Sequence, residues 1–77
     1  MNHPSDAPKN GTIILANFGY PWFMPACWNE LDEQWITATL QDCGGDRYFE
    51  NESEQDSSMI GWIPMPMIKK LTKSTNI

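Results

Sequence analysis

Gln34-Trp35-Ile36-Thr37-Ala38-Thr39-Leu40 decides the fold class of this 77-residue chain. Five of its seven residues are β-branched, aromatic or long aliphatic, and the run strictly alternates its two sets. Side chains of a strand point to opposite faces with period two, so Ile36, Ala38 and Leu40 share one face and Trp35, Thr37 and Thr39 the other. Asp42-Cys43-Gly44-Gly45-Asp46 ends the run with turn chemistry, and Arg47-Tyr48-Phe49 has the composition of a short returning strand.

Upstream, Trp22, Met24, Ala26 and Trp28 alternate with Phe23, Pro25 and Cys27, which predicts a second strand with Trp28 inside. Pro25 has no N–H to give a ladder, so this strand is expected at a sheet edge or bulged. Thr12-Ile13-Ile14-Leu15-Ala16-Asn17-Phe18 is bounded by Gly11 and Gly19. Its consecutive aliphatics fit a central strand touched on both faces. Residues 1–11 read as an extended lead-in, Asn29–Glu33 as a polar hairpin tip, and Asn51–Ser58 as a mobile polar loop. Trp62-Ile63 returns to the core, and Pro64 and Pro66 impose an extended path.

The expected fold is mainly β: a small antiparallel meander of three to four strands with an extended Pro-containing C-terminal segment packed on it. Residues 1–68 form one small β domain in this reading, and 69–77 a flexible basic tail carrying Lys69, Lys70 and Lys73. A core this small depends on a few large side chains. Trp28, Trp35 and Trp62 are its expected members, each contributing roughly 4–6 kcal/mol at most if fully buried. Trp22, beside Tyr20 and Pro21 at a turn, is the aromatic expected to stay partly exposed, where it could anchor an interface.

Charge is the second strong signal. The net charge is −5, and Glu30, Asp32, Glu33, Asp42, Asp46, Glu50, Glu52, Glu54 and Asp56 face a single cation, Arg47, within residues 30–56. Such a field repels nucleic acid and anionic membranes and attracts basic surfaces. Glu50, Glu52, Glu54 and Asp56 recur at spacing two; in an extended chain they would lie on one side at a pitch of about 6.5–7 Å. That row could imitate a nucleic-acid backbone before a groove of lysines and arginines. The competing reading is a solvated loop that serves solubility.

Other chemistries find little footing. His3, Cys27 and Cys43 lack the spacing and the fourth ligand of a structural zinc site. Gly44-Gly45 sits among acids, the wrong sign for phosphate. No carboxylate pair lies in an apolar setting that would tune it for proton transfer. Neither an enzyme nor a cofactor is expected. Met1–Asp6 has no basic region or apolar run, so no secretory signal is expected; a cytoplasmic location is expected, with Cys27 and Cys43 as reduced thiols there, the alternative being a Cys27–Cys43 pair in an oxidising compartment.

Ala7-Pro8-Lys9-Asn10-Gly11-Thr12, Ile13-Ile14-Leu15, Ala26-Cys27-Trp28, Gln34-Trp35-Ile36 and Trp62-Ile63-Pro64-Met65-Pro66 occur in an ordered series over about residues 5–67. The series resembles a group of short phage and prophage proteins of unknown function, patterned Ala-Pro-Lys-Asp-Gly-Thr, strand, Trp, Trp and Trp-Met-Pro-Leu-Pro. Asn10, Ile63 and Met65 depart from that pattern, as does the acidic stretch Glu50–Asp56. The resemblance implies a small β-rich domain of mobile-element origin and brings no catalytic residues. By analogy with small acidic phage proteins, it implies a non-catalytic inhibitor, anti-CRISPR-like. Such a protein would meet a host protein or ribonucleoprotein with a basic surface, without touching nucleic acid or membrane. The alternative is an accessory β module that self-associates, as a homodimer, through an open sheet edge or its methionine-rich end (Met59, Met65 and Met67 with Ile68 and Leu71).

Overall fold

The computed structural model describes residues 1–66, apart from the side chains of residues 41–43, 47 and 48. The expected basic tail, 69–77, and Met67, Ile68 and Leu71 lie outside the described residues. Five strands form one antiparallel sheet: β1 (Ile14–Asn17), β2 (Met24–Asn29), β3 (Gln34–Cys43), β4 (Asp46–Glu54) and β5 (Gly61–Pro64). Their order is β4-β3-β2-β1-β5. The first four strands are the expected meander. β5 returns to pair with β1, so the Pro-containing segment packs along the sheet edge as a fifth strand.

The longest hairpin is β3–β4, paired from Trp35↔Glu54 to Cys43↔Asp46. Gly44 and Gly45 close it with φ of 64° and 95°, the positive pair that a type I′ two-residue hairpin turn demands. This pairing overturns the expected mobile loop at 51–58. Residues 51–54 are strand, and Asp56–Ser58 is a 3₁₀ turn. β4 is also longer than the three residues expected from Arg47-Tyr48-Phe49.

Pro25 lies on an interior strand, between β1 and β3, not at an edge. It pairs with Leu15, while the register between β2 and β3 starts only at Ala26↔Thr37. The proline thus sits where the β2–β3 ladder stops, and its missing N–H interrupts no described pair. Past that point β3 and β4 run on without β2.

One face of the sheet carries the core. Ile14, Ala16, Met24, Ala26, Trp35 and Thr37 are buried there, with Trp28 and Trp62 packed against them. Trp28 and Trp35 meet edge to face, 5.2 Å between centroids. Phe18, just past β1, Ala7, from the N-terminal segment, and Met59, after the second 3₁₀ turn, complete the cluster. The lead-in is therefore a structural strap. It makes a 3₁₀ turn at Pro4–Asp6, and Asn2 exchanges backbone hydrogen bonds of 2.7 and 3.2 Å with Trp62 on the outer edge of β5. The Trp62 indole N–H donates to the His3 carbonyl at 3.0 Å. No helix among the described residues is long and apolar enough to cross a membrane.

Candidate functional site: an acidic border strand

The register of β4 fixes the direction of its acids. Glu50, Glu52 and Glu54 stand opposite Thr39, Thr37 and Trp35, so all three project on the side of the sheet that carries the core. β4 is the last strand on that side of the sheet, and the glutamates form its outer border. Their pitch is that of alternate strand residues, about 6.5–7 Å. The Glu52 backbone carbonyl accepts a hydrogen bond from the Thr37 hydroxyl at 3.3 Å, which ties the middle of the row to β3.

Both adjoining hairpin tips extend the border. Consecutive tips of a meander lie at opposite ends of the shared strand, so the acids do not gather at one end of the sheet. Asp46 lies exposed at the β3–β4 tip, and the side chain of Asp42 is outside the described residues. Glu30, Asp32 and Glu33 form the β2–β3 tip, at the end of β3 that pairs with Glu54. This tip is held by local bonds. Asn29 donates to Asp32 at 3.0 Å and accepts from the Leu31 N–H at 3.2 Å, and Glu30 accepts from the Trp28 indole at 3.1 Å. Glu33 adopts the left-handed region, φ 53°, where most side chains are strained.

Asp56 does not continue the row. Its carboxylate turns inward, accepting from the Trp35 indole at 2.9 Å and from Lys9 Nζ at 2.8 Å. The Lys9 bond first, and the Trp35 bond second, hold this carboxyl below its ordinary 3.8, with the charge of Lys9 adding and partial burial opposing. Lys9 also lies 4.4 Å from the centroid of the Trp28 ring. Of the chain's five lysines and arginines, Lys9 is the only one whose side chain is described, and it is engaged by Asp56. Asp56 and Lys9 thus pin the strap and the second 3₁₀ turn onto the Trp28–Trp35 pair.

Trp22 is half exposed and stacks on Tyr20, with 5.7 Å between centroids and 10° between planes. It borders a cleft of about 400 Å³ with Phe23, Pro25, Leu40 and Phe49. Leu40 and Phe49 face each other across the β3–β4 pair, one position out of phase with the glutamates. The structure therefore gathers Glu50, Glu52 and Glu54, lengthens their border with the two tips, and sets Asp56 and Trp22 apart from it. Among the described residues no group of three or more His, Cys, Asp or Glu side chains could hold a metal ion, and Cys27 is a free thiol.

Comparison with known proteins finds no matching family model, no matching curated protein and no matching solved structure.

Proposed function

We propose that the chain is a non-catalytic binding protein that lays its acidic border strand against a basic, nucleic-acid-binding surface and keeps nucleic acid off it. The observation that carries this reading is the β4 register, which aligns Glu50, Glu52 and Glu54 on one side of an ordered strand. Ordering matters because carboxylates held at fixed spacing can meet a row of arginines without first losing the freedom of a loop. Their combined field raises the encounter rate with a positive groove and falls with added salt. The phage-like landmarks of the sequence make a host defence complex that processes nucleic acid, such as a CRISPR effector, the target class.

The test is inhibition. Titrated into a purified CRISPR effector or other defence nuclease, the wild-type chain is expected to displace target DNA. A variant with Glu50→Gln, Glu52→Gln and Glu54→Gln is expected to need at least tenfold more protein for the same effect. Equal potency of the two proteins would remove the acidic border from the mechanism.

A further inference from the structure

The second face of the sheet has no cover among the described residues. Leu15, Ile63, Pro25, Cys27, Ile36 and Ala38 floor it, because each is one position out of phase with a core residue. Neither the strap nor the 3₁₀ turn at Asp56–Ser58 reaches over it, since Ala7 and Met59 both join the cluster on the opposite face. Large side chains stand up around this floor: Phe49 is 76% exposed, Leu40 58%, Ile13 55% and Trp22 54%. Together with Phe23 they leave on the order of 600 Å² of mostly apolar surface in water, close to the ~800 Å² that each partner contributes to a stable interface.

We infer that a second copy of this chain covers this face, the two sheets packing face to face in a symmetric dimer. Three features point to a like partner. The described side chains that β1–β5 present here carry no charge, whereas the glutamates of β4 project from the other side. Two copies, each at −5, therefore meet on surfaces whose described side chains are uncharged, with their acidic borders turned outward. The relief is self-complementary in kind. The early end of the β2–β3 ladder at Ala26 opens the cleft bordered by Trp22, Phe23 and Pro25, and beside it lies a shallow hollow of about 170 Å³ over Pro25, Cys27 and Ala38. Phe49 and Leu40 are knobs of the size such hollows accept, and a two-fold axis lets each copy give and receive them. The sheet edges are poorer routes. β5 already bonds to Asn2, and β4 is bordered by acids that repel their own kind. Sheets so paired pack about 10 Å apart with strands within roughly 30° of each other.

Sedimentation equilibrium of the full 77-residue chain tests this. From about 1 to 100 μM, a range that brackets interfaces of this size, the wild type is expected to have the dimer mass. Phe49→Glu and Leu40→Glu, each placing a charge on an exposed position of the face, are each expected to raise the dissociation constant at least a hundredfold. The Glu50→Gln, Glu52→Gln, Glu54→Gln variant, altered on the opposite side, is expected to remain a dimer. Should either face variant fail to fold by circular dichroism, wild-type tryptophan emission serves: Trp22 is the exposed one of the four tryptophans, the other three packing with the core, so the summed emission is expected to shift red on dilution through the dissociation range. A wild-type monomer at 100 μM overturns the inference, whether the C-terminal residues, another protein or nothing covers the face. A dimer that persists unchanged in both face variants overturns it as well.

Discussion

Asp56 shows how one carboxylate of an acidic stretch can be structural: it turns inward, while Glu50 in the same stretch stands exposed. Trp35 is fully buried and its indole N–H has the Asp56 carboxylate as partner. Removing that acceptor leaves a buried donor unpaired, at about 1–3 kcal/mol. The Lys9 ion pair is nearly half exposed and contributes only about 0.2–1 kcal/mol. Asp56→Ala is therefore expected to lower unfolding stability in urea by about 1–3 kcal/mol, while Asp56→Asn, which keeps an acceptor, loses about 0.5 kcal/mol. Because folding lowers the Asp56 pKa, its ionic contribution is complete above the ordinary carboxylate value and disappears as pH falls through the lowered one. The stability gap between wild type and Asp56→Asn is thus expected to close as urea titrations are repeated at progressively more acidic pH below 3.8. A gap constant with pH would place the effect elsewhere. Glu33 offers a converse test: at φ 53° a glycine is unstrained, and Glu33→Gly is expected to gain about 0.5–1 kcal/mol, read as a raised urea midpoint.

At the scale of elements, legibility followed periodicity. β3 declared itself because its alternation pairs bulky residues with small polar ones, and β2 did so around Trp28. The second half of β4 was hidden. Glu50-Asn51-Glu52-Ser53-Glu54 has no apolar residue to reveal its period, and only the long pairing with β3 makes it a strand. The glutamate spacing was nevertheless visible, and alternation survived as the geometry that places three of the four expected acids together. Asp56 escaped that reading because a 3₁₀ turn begins there. Pro25 misdirected in another way: a missing donor excludes a ladder bond on one side only, and β2 accommodates it where its pairing with β3 has ended. The role of the N-terminal strap was not legible, since it rests on contacts between residues some sixty positions apart. Gly61 tests it. A Cβ there would come within 3.0 Å of the Asn2 carbonyl oxygen and overlap the Met1 side chain. Gly61→Ala is expected to cost about 1–3 kcal/mol and to speed hydrogen exchange at the Asn2 and Trp62 amides. Unchanged exchange at both would show that the strap does not depend on this close approach.

The whole molecule is a sheet with two unlike faces. Among the described residues, one is packed against the chain's own strap and turn and is bordered by glutamates; the other is a largely apolar floor of uncharged side chains rimmed by aromatic and aliphatic ones. The sequence separated the two sets of alternating residues but not which set faces inward. The Ile36-Ala38-Leu40 set is the more apolar, yet Trp35 and Thr37 are the buried ones, because Ala7 and Met59 settle on their side. A net charge of −5 spread evenly over such a body would oppose every contact with its own kind, whereas segregated charge permits one face to associate and one border to attract.

The border is tested most directly by the salt dependence of binding to a purified basic nucleic-acid-binding complex, measured for wild type and for the triple glutamine variant. The wild-type dissociation constant is expected to rise steeply between about 50 and 200 mM salt, and the variant to bind at least tenfold more weakly at the lower salt with a shallower slope. Identical affinity and slope for the two proteins would contradict the account.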